Sequence, residues 1–175
     1  MADFGTANAR EARRCILMID LAGFARATRN ADSERVISFL EQFFAGLGSA
    51  IRGHGGRLVK YLGDGGLAVF DGDRASDAVA CAIAVSSDVD ALADQFVLAL
   101  RTGASIHVAT VFEGDFGPDD DRRYDIIGPG VMHTFRMGAG PGIRISEPVY
   151  RQLASADRGS WLKHRPPATY ERVDA

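Results

Sequence analysis

The sequence predicts an α+β fold, a ferredoxin-like sandwich in which helices pack on one face of a mostly antiparallel sheet. Three observations lead to this prediction. The chain has 175 residues, of which 46% are hydrophobic and 25% charged, which is typical of a globular protein with one sizeable core. Two long segments repeat apolar residues every three or four positions, as amphipathic helices do. The shorter apolar segments around them give the order strand, helix, strand, strand, helix, strand.

The first elements of this order include two aspartates, one at the end of a predicted strand and one in a predicted turn. Residues 15–20 are a mostly apolar run, predicted to be a buried strand that ends at Asp20. Residues 32–52 have the apolar spacing of a helix, with a capping residue at the start and a glycine-rich stretch at 53–56 as a stop. Residues 57–62 and 66–71 are predicted to form a hairpin, because Gly-Asp-Gly-Gly around Asp64 favours a tight turn.

The remaining elements continue the alternation. An alanine-rich helix is predicted over 75–96, and a polar turn at 114–121 joins strands predicted over 98–113 and 122–127. Short helices over 130–138 and 148–154 flank a strand at 142–145, and a last hairpin joins 161–163 to 169–173. We expect residues 1–13 to be a polar N-terminal segment and residues 14–175 to form one domain.

Charge, cysteine content and the lack of long apolar stretches argue against several classes of protein. The formal net charge of −3 argues against broad binding of nucleic acid, which requires a basic face. Cys15 and Cys81 lie in apolar segments without zinc-ligand spacing, so we expect buried thiols in a reducing compartment. No apolar stretch is long enough to span a bilayer, and the polar N-terminal residues lack the core of a signal peptide. We therefore expect a cytoplasmic protein with no nucleic-acid or membrane partner.

The two aspartates allow two interpretations. Asp20 and Asp64 are each expected at the tip of a strand, where two carboxylates can converge on a hard cation such as Mg²⁺. Each aspartate alone is more simply explained as a turn residue that accepts backbone hydrogen bonds.

Six segments, in this order, resemble the catalytic domain of the class III nucleotidyl cyclases, the adenylate and guanylate cyclase homology domain. The resemblance extends from Arg14 to Val173. The segments are Asp-Leu-Ala-Gly-Phe at 20–24, Lys-x-x-Gly-Asp at 60–64, small residues at 75, 78 and 82, Arg-Thr-Gly at 101–103, Tyr-Asp-Ile-Ile-Gly at 124–128 and Gly-Ile-Arg-Ile-Ser at 142–146. The resemblance implies the nucleotide cyclase version of the predicted fold.

The resemblance also implies a metal and phosphate site. Asp20, Asp64 and the backbone carbonyl of Leu21 match the ligands of two Mg²⁺ or Mn²⁺ ions per site, one activating the ribose 3′-hydroxyl and one holding the triphosphate. Gly23 and Phe24 match the start of a helix whose backbone N–H groups face the phosphates. A further phosphate contact is expected from Arg101.

Four other residues match the second half of the family's active site. Lys60 and Asp125 match the pair that reads adenine, in which an ammonium donates to a ring nitrogen and a carboxylate accepts from the amino group. Arg136 and Lys163 match catalytic groups that stabilise charge on the phosphoryl oxygens. In this family the two halves come from different chains. The resemblance therefore implies a homodimer with shared sites that converts ATP to 3′,5′-cyclic AMP and pyrophosphate.

Met132 departs from the family pattern. It stands where the family places an asparagine that orients the ribose, and a thioether cannot supply the hydrogen bonds of an amide. The alternative function is therefore a weak or inactive cyclase-homology domain that binds nucleotide or dimerises to regulate a partner.

The histidines suggest no metal site from their spacing. His54, His107, His133 and His164 show no i, i+4 pattern, so we interpret each as structural.

Overall fold

Eight strands and five α-helices form within residues 9–138, 140–164 and 169–173, the residues that the computed structural model describes. The strands are β1 (Arg10–Ala22), β2 (Arg57–Leu62), β3 (Gly65–Asp71), β4 (Arg101–Phe116), β5 (Arg123–Ile127), β6 (Gly142–Ser146), β7 (Trp161–His164) and β8 (Thr169–Arg172). The helices are α1 (Phe24–Thr28), α2 (Ser33–Gly53), α3 (Ala75–Phe96), α4 (Pro129–Arg136) and α5 (Glu147–Gln152), with a 3₁₀ turn at Asp157–Ser160.

The strands form one sheet in the order β2-β3-β1-β4-β6-β8-β7, with β5 paired on β4. The first four are antiparallel neighbours, and this order with two intervening helices is a ferredoxin-like sandwich. β6 lies parallel to β4, and β8 and β7 extend the sheet by antiparallel pairing. The predicted fold class is confirmed.

The sheet is covered on both faces. Leu17 and Ile19 of β1 belong to the main core with α2 and α3, whereas Ile16 belongs to a second cluster with Val131 of α4. Side chains alternate between the faces of a strand, so a strand that is apolar at every position needs cover on both sides. The expectation that all helices lie on one face is therefore wrong for α4.

The first strand is longer than the sequence predicts. It begins at Arg10, and its first residues pair with β4, so that residues 10–13 belong to the sheet and not to a separate polar segment. Arg10 and Arg14 form ion pairs with the buried Glu113 of β4, at 2.9 and 2.6 Å. Apolar periodicity misses these residues because backbone pairing with β4 and cross-strand ion pairs, and not apolar burial, hold them in place.

Both cysteines are buried, as predicted. Burial raises the pKa of each thiol, Cys15 and Cys81, to about 12, so both are uncharged at neutral pH. Among the described helices, none combines the length and apolar character needed to cross a bilayer.

Candidate active site

An open pocket of about 850 Å³ lies where β1 leads into α1. Its lining includes six of the residues predicted to bind metal or substrate, namely Asp20, Leu21, Gly23, Phe24, Asp64 and Arg101. The rest of the wall comes mainly from the segment before β4 and from Gly140 and Pro141 before β6. Residues from four separate parts of the chain thus meet in one cavity.

Asp20 is held close to the backbone of the neighbouring strand. It lies near the end of β1 opposite Gly103 of β4. A Cβ atom at position 103 would overlap Asp20 Oδ1 and lie 2.7 Å from the carbonyl oxygen of Gly140. Glycine is therefore required at 103 for the carboxylate to occupy this position.

Asp64 reaches the pocket from the adjacent hairpin. It lies in the two-residue turn between β2 and β3, and β3 pairs with β1 next to Asp20 through Ile19 and Gly66. Burial, and then the negative charge of Asp64, raise the pKa of Asp20, while the positive charge of Arg144 opposes them. Two carboxylates that repel each other in this way are stabilised by a cation between them.

The donor set fits a hard divalent cation. It would consist of two carboxylates and, as predicted, the Leu21 carbonyl, and no cluster of three or more His, Cys, Asp or Glu side chains with metal-binding geometry occurs in the described ranges. Mg²⁺ typically takes one or two carboxylates and completes its coordination with water and substrate phosphates. A closed structural zinc site would need about four protein ligands, which this pocket does not provide.

The entrance to α1 is shaped by Gly23. Its φ of 88° lies in the left-handed region that favours glycine, and it precedes the first residue of the helix. The Gly23 carbonyl accepts hydrogen bonds from the backbone N–H groups of Arg26 and Ala27 at 3.1 and 2.9 Å, and Phe24 packs against the main core. The predicted helix start is confirmed, and its contact with phosphate stays a prediction.

Arg144 is a residue of this region that the sequence did not identify. Its guanidinium donates to the carbonyls of Gly140 and Pro141 at 3.2 and 3.1 Å, and it forms an ion pair with Glu171 at 2.8 Å. It therefore fixes the segment that forms one wall of the pocket and places a positive charge near Asp20. The sequence feature that could have identified it is a single arginine inside the strand Gly-Ile-Arg-Ile-Ser, where its neighbours are apolar.

The predicted base-reading residues lie together, outside this pocket. Lys60 Nζ of β2 is 2.6 Å from Asp125 Oδ2 of β5, and both side chains are partly exposed. The second carboxylate oxygen of Asp125 accepts a hydrogen bond from the backbone N–H of Ile126 at 2.8 Å. This hydrogen bond from the neighbouring backbone therefore fixes the orientation of the Asp125 carboxylate.

The predicted catalytic residues are also away from the pocket within one chain. Arg136 is exposed in the last turn of α4, and Lys163 is exposed on the edge strand β7, with Nζ 5.7 Å from the centre of the Tyr170 ring. Ten predicted site residues thus divide into six that line one pocket and four that lie elsewhere on the surface.

Comparison with known proteins identifies the relatives of this chain. Residues 7–168 match the family described as the adenylate and guanylate cyclase catalytic domain. An adenylate cyclase from Anabaena cylindrica is 28% identical over 165 residues, which cover 87% of this chain and 32% of the relative. The chain thus spans about a third of the length of that curated relative.

Solved structures show the same fold. The guanylyl cyclase Cya2 superposes with a TM-score of 0.82 at 24% identity, covering 94% of this chain and 93% of that one. The adenylyl cyclase CyaB from P. aeruginosa superposes with a TM-score of 0.84 at 19% identity, covering 96% of this chain and 97% of that one. Similar folds therefore occur in proteins named for both activities.

Proposed function

Because this chain belongs to the adenylate and guanylate cyclase catalytic domain family, we propose that it is an adenylate cyclase, which converts ATP to 3′,5′-cyclic AMP and pyrophosphate. The observation that carries the choice of ATP is the pairing of Lys60 with Asp125 at 2.6 Å. The Anabaena relative, which is named an adenylate cyclase, supports the same choice.

The Lys60–Asp125 pair is complementary to adenine. An ammonium donates to a ring-nitrogen acceptor of the base, and a carboxylate accepts from the exocyclic amino group. Guanine presents a carbonyl oxygen where adenine has that amino group, so it would face the Asp125 carboxylate with like polarity. The backbone N–H of Ile126 occupies the other oxygen of Asp125, which leaves Oδ2, the atom now paired with Lys60, for the base.

The pocket supplies the binding groups for the metal ions and the triphosphate. Asp20, Asp64 and the Leu21 carbonyl would hold two divalent cations, Mg²⁺ or Mn²⁺. When bound, these cations would neutralise charge on the attacking and leaving oxygens. Arg101 lines the same pocket, and its guanidinium, now 3.5 Å from Asp90, would pair with the terminal phosphates, with the backbone at Gly23 and Phe24 beside them.

The second half of the site requires another chain. Arg136 and Lys163 are exposed and do not line the pocket of their own chain. In a homodimer with an isologous interface, each chain would offer its metal site to the other chain's Lys60, Asp125, Arg136 and Lys163, giving two equivalent sites. There the arginine and lysine would stabilise charge on the phosphoryl oxygens.

Met132 supports a second candidate function. Its side chain is 53% exposed on α4, one turn before Arg136, and it has no group that could orient a ribose hydroxyl. A domain that binds nucleotide and dimerises but turns over slowly, regulating a partner, is consistent with this residue.

Product analysis tests the proposal. The purified chain is incubated with ATP or GTP and either Mg²⁺ or Mn²⁺, and products are separated by chromatography and identified by mass. We expect cyclic AMP and pyrophosphate from ATP, and at least about tenfold less product from GTP, since a mispaired buried polar group costs about 1–3 kcal/mol. Asp20→Asn, prepared in the same way, controls for a contaminating cyclase.

The other outcomes are equally informative. Equal rates with both nucleotides would exclude Lys60 and Asp125 as the selecting pair. Saturable nucleotide binding without any cyclic product would establish the regulatory alternative.

A further inference from the structure

Two histidines that are far apart in the sequence meet on the face of the sheet that α4 covers. His107 is in β4 and His133 is in α4, and their ring centres are 4.6 Å apart with a 53° angle between the planes. Neither residue lines the pocket that holds Asp20 and Asp64. The pair is therefore separate from the proposed catalytic metal site.

The hydrogen bonds of the two rings leave ligand positions free. His107 Nδ1 lies 2.9 Å from the hydroxyl oxygen of the buried Ser146. In the part of the chain that the structure describes, His107 Nε2 and both ring nitrogens of His133 have no hydrogen-bond partner. A metal-bound histidine typically donates its other ring N–H to such an acceptor, which fixes the tautomer and the ring orientation.

The exposure of the two rings also suits a metal site. His107 is partly buried in β4. His133 is exposed, so an ion from solvent can reach the pair.

We propose that His107 and His133 form a second, distinct metal site, which binds one Zn²⁺ ion between β4 and α4, with water completing the coordination. Two imidazoles on one tetrahedral zinc, at Zn–N distances of about 2.0–2.1 Å, have ring centres about 5 Å apart, close to the separation seen here. Imidazole nitrogen suits zinc and copper, whereas magnesium prefers oxygen, so the two kinds of site select different ions. A bound ion would cross-link α4 to the sheet.

The competing explanation is a simple contact between the two rings. Such a contact would stabilise α4 without binding any ion, and the two explanations predict different responses to zinc. Cys15 and Cys81 are buried, so we do not expect their thiols to compete for zinc in the folded protein.

Zinc binding to the full chain is measured by competition with a chromophoric chelator, in excess Mg²⁺ to occupy Asp20 and Asp64. We expect one zinc ion per chain. The exposed His133→Gln substitution should weaken binding at least about tenfold, and Ser146→Ala, which removes only the acceptor for His107, about 10- to 100-fold. His54→Gln, a histidine substitution outside the pair, should leave the affinity unchanged.

Thermal denaturation gives a second readout that does not depend on enzyme activity. Zinc should raise the Tm of the wild-type chain and of His54→Gln, and should leave the Tm of His133→Gln unchanged. Equal zinc affinity in the wild-type chain and His133→Gln, or no binding at one ion per chain, would overturn the proposal and leave the ring contact as the explanation.

Discussion

The ammonium group of Lys60 and the carboxylate of Asp125 form an ion pair, with Nζ 2.6 Å from Oδ2, that joins β2 to β5. The two strands are not neighbours in the path of the sheet, since β2 lies at one edge and β5 pairs with β4. The ion pair therefore brings together a donor and an acceptor at the spacing that one planar base could contact. Because both side chains are partly exposed, a nucleotide can exchange their mutual contact for contacts to the base.

The first prediction concerns base selectivity. Asp125→Asn replaces one carboxylate oxygen with an amino donor that can bond to the guanine carbonyl. We expect the ratio of kcat/KM for ATP over GTP to fall from at least about tenfold to about twofold or less. Asp119→Asn, an exposed neutralisation in the preceding turn, should leave the ratio unchanged. An unchanged ratio in Asp125→Asn would show that Asp125 does not contribute to base recognition.

The second prediction concerns the two metal ligands. Asp20→Asn should abolish cyclisation and yet raise the Tm of the metal-free protein, because burial and Asp64 make the charged form of Asp20 unfavourable. We expect a gain of about 0.5–1 kcal/mol in the free energy of unfolding. Since the pKa of Asp20 is raised by folding, this gain should be absent at acid pH and appear as the pH rises through that pKa.

The same thermal denaturation is then repeated in the presence of Mn²⁺. Mn²⁺ at millimolar concentration should raise the Tm of the wild-type chain and should have little effect on Asp20→Asn or Asp64→Asn. Asp73→Asn, an exposed change in the turn after β3, is the matched control and should behave as the wild type. A Tm that does not respond to Mn²⁺ in the wild-type chain would contradict the assignment of the metal ligands.

The third prediction concerns the shared site. Asp64→Ala and Arg136→Ala should each be inactive alone, and mixing the two chains should restore activity to roughly a quarter of the wild-type value if subunits exchange at random. Half of the dimers would then be hybrids, each with one intact site and one site that carries both lesions. If dimers exchange subunits and no activity returns, the shared-site hypothesis is wrong.

The fourth prediction concerns Met132. Met132→Asn supplies an amide on the exposed face of α4, one turn before Arg136. We expect kcat to increase between about 10- and 1000-fold if ribose orientation limits the rate, since positioning contributes several kcal/mol. Met132→Leu keeps the size and apolar character of the side chain without the amide, and should show no gain. An equal effect of both substitutions would indicate packing and not ribose orientation.

The fifth prediction concerns the ion-pair network that holds the start of β1. The Arg14 guanidinium, aided by Arg10, lowers the pKa of the buried Glu113 from about 4.5 to about 2. Because folding depresses this pKa, the stabilisation is present above pH 4.5 and is lost as the pH falls toward 2. Glu113→Gln should therefore reduce the free energy of unfolding by about 2–3 kcal/mol at neutral pH, because the arginines lose a buried partner.

Urea denaturation at several pH values measures this effect. The difference between wild type and Glu113→Gln should shrink as the pH falls, while the exposed Glu41→Gln on α2 should show no difference at any pH. A loss of stability in Glu113→Gln that does not depend on pH would contradict the ion-pair explanation.

Local patterns in the sequence were sufficient for most elements of the fold. The two long helices and the hairpin around Asp64 form where apolar spacing and turn residues predict them, because these signals act between residues a few positions apart. Asp32 caps α2 by accepting from the backbone N–H of Arg35 at 3.1 Å, at the helix start where the sequence predicts a capping residue. Such local signals also place Asp20 near the end of β1 and Asp64 in the turn after β2, whereas the pairing of β1 with β3 brings the two into one pocket.

The start of β1 and the position of α4 could not be predicted in this way. Arg10 to Arg13 join the sheet through pairing with β4, about 100 positions later in the chain. Val131 packs α4 against Ile16 on the second face of the sheet. Both outcomes depend on which strands are neighbours and in what register, and a local apolar pattern carries no information on either.

By itself, the sequence determined the elements, the fold class and the residues that resemble a cyclase site, because each depends on short-range patterns or on residue identity. Only the tertiary structure decided which of those residues meet. It joined Lys60 to Asp125, separated both from the pocket of Asp20, and placed Arg144 against the wall of that pocket. It also brought His107 and His133 into contact. These juxtapositions arise from sheet order and register, which bring together residues that are distant in the chain.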